Sequence, residues 1–136
     1  MGKASCGALL PNQLSGGAQW RVALLHAFLI APQLLLMGEL FQSLDGPTAD
    51  QLRAQLLKLW HATKPTVLFV THSLSEALSL ADRVLFLSSG PARVVTEVQI
   101  AAARPRGLDV PVMQRLNQQL LADYPDLLKS QLACTI

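Results

Sequence analysis

The sequence predicts an α/β fold in which a parallel sheet is flanked by helices. Three observations carry that expectation. Short aliphatic runs of strand length alternate along the chain with segments whose apolar residues recur at helical spacing. Of 136 residues 51% are hydrophobic, only 15% are charged and aromatics make up 5%, which describes an aliphatic core and not a disordered chain. The length suits about one domain, or a piece of one, with enough chain to bury a core.

The elements follow in order. Ser15 is a candidate N-cap for a helix running through Arg21 and Leu25 to Leu29, which Pro32 ends. The apolar run from Leu34 to Met37 reads as a strand buried on both faces. After the turn residues Asp45, Gly46 and Pro47, the residues Ala49, Leu52, Leu56, Leu59 and Trp60 mark an amphipathic helix. Asp50 lies near its start and Lys58 near its end, as the helix dipole favours. Thr66 to Val70 is a second strand, Leu74 to Ala81 a short helix and Val84 to Leu87 a third strand. Strand, helix, strand, helix, strand implies parallel pairing through right-handed crossovers. Ser89, Gly90 and Pro91 make a turn before Arg93 to Ile100, an antiparallel edge hairpin. Arg104 to Gly107 reads as a linker, and Val112, Met113, Leu116, Leu120 and Leu121 line one side of a C-terminal helix.

Composition excludes several functions. A net charge of +2 without any run of Lys or Arg gives no footprint for nucleic acid. Cys6 and Cys134 sit near opposite ends without metal-ligand spacing, so both are expected to be free thiols in a reducing compartment. Val22 to Gly38 lacks charged residues, but His26, Pro32 and Gln33 interrupt it and it is short for a membrane span; a buried helix followed by a buried strand is expected. The start Met1, Gly2, Lys3 resembles an acylation signal, except that Cys6 stands where Ser or Thr is required. No signal peptide is evident, so the expected location is cytoplasmic.

The chemistry starts at "LSGG", Leu14 to Gly17. A Ser and two glycines opening a helix offer a hydroxyl, approachable backbone N–H groups and the positive end of the helix dipole, all suited to a phosphate oxygen. In four residues alone, a plain helix cap is the better explanation. The surrounding stretches are more specific: "QLSGGAQWRVALLHAFLIAPQLLLMGELFQSLD" and "TVLFVTHSLSEALSLADRVLFLSSGPARVV".

Together they resemble the second half of the ATP-binding subunit of ATP-binding cassette (ABC) transporters, most closely the nitrate, sulfonate and taurine importer group. The resemblance rests on order and spacing. It implies a partial P-loop NTPase-type fold. Residues 1–103 would be the C-terminal part of a nucleotide-binding domain, from signature loop to edge hairpin, and residues 104–136 a linker and helical extension. It also implies roles. Ser15, Gly16 and Gly17 would contact the γ-phosphate of a nucleotide held by a second ATP-binding subunit. Glu39 would polarise the attacking water, and His72 would hydrogen-bond the γ-phosphate. Ser43, Leu44 and Asp45 would form the loop at the dimer interface, and Arg21 would support the signature helix. ATP and Mg²⁺ are the ligands of the intact family. A transmembrane permease is the second expected partner, which would place the assembled protein at the inner membrane face.

Departures from the family pattern set the functional expectation. Gly2 and Lys3 resemble the end of a phosphate-binding loop, but Ala4 is not the Ser or Thr such a loop needs. No Gly-rich loop with Lys precedes the signature in this sequence. Gly38 stands where the family has a metal-binding Asp, Leu40 where it has Pro, and Ala18 and Trp20 where it has polar residues. The expected metal residue is therefore none. A truncated or degenerate importer ATP-binding subunit, not binding ATP by itself, is the reading these features favour. The alternative is a non-catalytic interaction protein that pairs with an intact subunit or transporter.

Overall fold

The computed structural model describes residues 10–107, 109–126 and 132–136. The readings placed on Gly2, Lys3, Ala4 and Cys6 lie outside the described residues. The chain forms two compact units, one of Met1–Pro32 with Ser43–Lys64, the other of Gln33–Gln42 with Pro65–Ile136.

The first unit pairs two helices. α1 (Gly16–Leu29) starts where the sequence predicts, with Ser15 in extended geometry and its Oγ accepting the Ala18 N–H at 3.3 Å. α2 (Gly46–Thr63) is capped by Asp45, has Pro47 in its first turn, and stops at Lys64, whose left-handed φ of 52° ends the helix. The buried side chains of the pair are Leu24 and Phe28 from α1 and Ala49, Leu52 and Leu56 from α2. The expectation of a buried α1 holds for one stripe only. Leu29 and Ile30 are 78% and 77% exposed, and Val22 and Leu25 are also exposed. Apolarity on every side marks what a helix can bury, but the number of neighbours decides what it does bury.

The second unit is a five-stranded sheet of order β1-β2-β5-β3-β4, with two helices. Its elements are β1 (Leu34–Gly38), β2 (Thr66–Thr71), α3 (Leu74–Leu80), β3 (Arg83–Leu87), β4 (Val94–Gln99), α4 (Pro111–Asp123) and β5 (Leu132–Thr135). β1 and β2 are parallel, from Leu34 opposite Thr66 to Gly38 opposite Val70. β3 and β4 form the antiparallel edge hairpin. Two expectations are corrected here. β1 is an edge strand with Leu34 and Leu36 exposed, not a strand buried on both faces. A run of Leu is compatible with burial on both faces but does not supply the second neighbour. On α4 only Met113 and Leu120 of the predicted apolar side are buried; Val112 and Leu121 are exposed.

A third difference concerns the sheet itself. β2 and β3 do not pair. β5 lies between them, antiparallel to both, so that Cys134 stands opposite Phe69 on one side and Val84 on the other. β2 and β3 keep the same direction, but among the described residues only the β1–β2 pair is a parallel ladder. The intruding strand is four residues long, and its Leu132 and Cys134 are fully buried with Val67, Val84 and Phe86.

Burial gives Cys134 a measurable property. Desolvation pushes its thiol up to about 12 from an ordinary value near 9. The native thiol should therefore resist iodoacetamide at pH 8 and become labelled only on denaturation, read by mass spectrometry of the C-terminal peptide. Labelling of the native protein at the rate of a free thiol would show that β5 does not occupy this slot. The same shift sets a pH trend. Above about pH 9 the unfolded chain releases the Cys134 proton while the folded chain retains it, so stability falls as pH rises from there towards 12.

The Arg104–Gly107 segment is fastened to the C-terminal end of α3. Arg106, with a side chain 2% exposed, donates to the carbonyls of Leu78, Ala81, Ile100 and Ala102 and to Asp82. Arg104 donates to Leu80 O at 2.8 Å and to the other oxygen of Asp82 at 2.9 Å. The carbonyls that end a helix lack partners within it, and these two guanidinium groups supply donors to them.

Candidate functional site

The predicted residues fall into two clusters, one in each unit. In the first, Ser15, Gly16 and Gly17 line a cleft of about 330 Å³ together with Ser43, Leu44, Asp45, Ala18, Arg21 and Thr48. The start of α1 and the start of α2 thus meet, each capped by a polar side chain. Ser15 and Gly16 are exposed, leaving the helix-start N–H groups of α1 accessible. Gly17 is closely packed: a Cβ there would stand 2.6 Å from the Thr48 methyl group, which would have to move. Thr48 holds Asp45 by its hydroxyl and its backbone N–H, the latter at 3.2 Å, and these bonds keep the exposed Asp45 carboxyl below its ordinary value. Arg21 donates to the neutral side chain of Gln51 on α2, which ties the two helices without a carboxylate.

In the second cluster the strand ends deliver the chemistry. β1 and β2 run parallel, so the residues after them, Glu39 and His72, emerge at the same edge of the sheet. Glu39 Oε1 lies 2.6 Å from His72 Nε2. The pair lines a cleft of about 200 Å³ with Gln42, Thr71, Ser73 and Glu76. Glu39 adopts φ 38°, a left-handed conformation that a side chain other than glycine enters at a cost of about 1–2 kcal/mol. Its N–H remains bonded to Val70 O at 2.9 Å, so the strand pairing continues to the last residue before the chain turns. The strain is in the backbone of the residue whose carboxylate faces the imidazole.

Sequence reasoning missed Gln42, Thr48, Thr71, Ser73 and Glu76. A signal existed for two of them: Ser73 followed three residues later by Glu76 has the spacing of a helix capping box.

Comparison with known proteins finds relatives over most of the chain. The chain is 41% identical over 124 residues to the nitrate import ATP-binding protein NrtD of Synechococcus elongatus, covering 90% of this chain and 45% of that protein. It is homologous to the ATP-binding subunits of ABC transporters. The aliphatic sulfonates import ATP-binding protein SsuB 1 of Pseudomonas fluorescens is 42% identical over 82% of this chain and 42% of its own length. The taurine import ATP-binding protein TauB of Shigella boydii is 46% identical over 68% of this chain and 36% of its own. The chain thus spans less than half the length of these ABC relatives. No protein-family model matches it.

The ABC family implies Mg²⁺ beside ATP, and the residues present do not fit a divalent metal. Gly38 offers no donor, and an added Cβ at this position would meet no atom within 4 Å, so the strand end is open where a ligand side chain would stand. Among the described residues no group of three or more His, Cys, Asp or Glu side chains could hold a metal ion. The Glu39–His72 pair can orient water and donate or accept a proton; a hard divalent cation needs more oxygen donors than it provides.

Proposed function

We propose that this chain is the portion of an importer's ATP-binding subunit, of the nitrate, sulfonate and taurine group, that carries the signature loop and the acidic strand, with its hydrolytic apparatus degenerate at Gly38. The observation that carries this reading is the 2.6 Å contact between Glu39 and His72 on adjacent parallel strand ends, with a donor-free residue immediately before Glu39. In this reading Glu39 orients the attacking water and His72 addresses the γ-phosphate. Ser15, Gly16 and Gly17, accessible at the start of α1, contact a nucleotide held by a second ATP-binding subunit, and Ser43 to Asp45 lie along the interface with it. A transmembrane permease is the other partner, which places the assembly peripherally at the inner membrane face. Among the described residues no helix is long and apolar enough to cross a membrane.

The reading is tested by calorimetry. The 136-residue chain contains no Gly-rich loop followed by Lys and Ser or Thr, the element whose backbone N–H groups and ammonium hold nucleotide phosphates. Titration with MgATP should give no saturable heat. Fusion behind the phosphate-binding segment of a related importer subunit should restore binding in the micromolar range. Saturable micromolar binding by the chain alone, or a folded fusion that fails to bind, would overturn the assignment.

A further inference from the structure

We propose that Thr71 and Glu76 are positioning residues that hold His72 against Glu39. The proposal rests on the functional reading for its importance to catalysis, and on geometry for everything else. Thr71 is the last residue of β2, 3% exposed, and its hydroxyl is committed in both directions. It donates to Glu76 Oε2 at 2.6 Å and accepts the Ser73 N–H at 3.0 Å. Ser73 in turn caps α3, its Oγ accepting the Glu76 N–H at 3.3 Å. The bonds close a ring through Thr71, Ser73 and Glu76, and His72 is the residue between the ring's first two members in the chain.

This differs from an ordinary capping box in one respect. There the carboxylate three residues into the helix bonds the N-cap N–H directly, whereas here the Thr71 hydroxyl is interposed between Glu76 and Ser73. The interposed hydroxyl binds the strand end and the helix start on either side of His72 to one carboxylate. His72 itself is half exposed, with a side chain 47% accessible, so packing contributes little to its direction. Its direction is set by the Glu39 contact and by the peptide units on either side. A buried hydroxyl that lost its acceptor would turn elsewhere or pay desolvation, and the 71–73 turn would loosen with it.

The test uses the chain without nucleotide, so that it is independent of the binding assay above. The readouts are hydrogen exchange at the Ser73 amide, the ¹⁵N shift of His72 Nε2 at one fixed pH, and the thermal midpoint. Glu39→Ala supplies the reference shift for a His72 without its partner. In Thr71→Val and Glu76→Ala the Ser73 amide should exchange roughly fivefold to tenfold faster, the consequence of losing about one hydrogen bond. The His72 shift should move towards the Glu39→Ala reference. Thr71→Ser should restore both signals, and Glu76→Gln should retain them because its amide oxygen still accepts from Thr71. A folded Glu76→Ala or Thr71→Val protein with an unchanged His72 shift would overturn the proposal. Should Thr71→Val not fold, Glu76→Ala decides alone, since Glu76 is partly exposed and its loss leaves no buried hole. Failure of the fusion to bind MgATP with these signals behaving as expected would strike the functional reading and leave the positioning role standing.

Discussion

In a fusion that restores the phosphate-binding segment, Gly38→Asp is expected to raise Mg-dependent ATP turnover about tenfold or more. The strand end has room for the new side chain, because nothing lies within 4 Å of the position its Cβ would take. The substitution places a carboxylate beside Glu39, at the end of β1, where this chain presents only backbone. Tenfold corresponds to about 1.4 kcal/mol of transition-state stabilisation, a modest return for supplying an oxygen ligand to a phosphoryl-transfer site. Glu39→Gln in the repaired fusion should remove the gain and leave binding intact, since the amide keeps the size of the carboxylate but cannot accept the proton. Steady-state phosphate release measures the first effect and calorimetry the second. An active-site defect located elsewhere, at Leu40 or Trp20, would leave turnover unchanged on Gly38→Asp although MgATP binds.

The largest expected loss of stability comes from Arg106. Arg106→Leu should destabilise the protein by about 3–5 kcal/mol in urea unfolding, because the guanidinium is the shared donor for four carbonyls and one Asp82 oxygen in a buried setting. Burial of this side chain lowers its proton affinity, Asp82 partly offsets that, and the group remains charged. Replacing a buried charge by a hydrophobe can be neutral where a partner is removed with it. Leu brings no donor, and the acceptors here are backbone that cannot be deleted. Arg106→Lys should recover only part of the loss, since an ammonium cannot span acceptors arranged around a planar fork. The comparison is Arg83→Leu, which breaks a bidentate but exposed pair with Glu97 at 2.8 and 3.0 Å and should leave the urea midpoint nearly unchanged. An Arg106→Leu protein within 1 kcal/mol of wild type would show that the segment after β4 does not depend on this clamp.

Local rules made much of the chain legible. The cap at Ser15, the turn at Asp45 to Pro47 and the hairpin after Leu87 were readable because their determinants lie within a few residues. Glu39 and His72 were singled out through the family resemblance, and their position after apolar strands is what brings them to one edge of the sheet. Glu76 was half legible, through its spacing from Ser73. Its use of Thr71 was not, because a hydroxyl in a sequence does not say which way it turns.

By itself, then, the sequence determined the order of helices and strands as far as α4 but not β5, the turn residues, the presence of Glu39 and the absence of a carboxylate at residue 38. These depend on side-chain identity and on spacing of a few residues, which any conformation of the chain preserves. Only the tertiary structure decided that β5 separates β2 from β3, that β1 is an edge, that Arg106 lies buried beneath the end of α3, and that Glu39 meets His72 at 2.6 Å. Each of these requires residues tens of positions apart to compete for the same neighbour. The outcome is set by which pairing buries more apolar surface and leaves fewer backbone groups without partners.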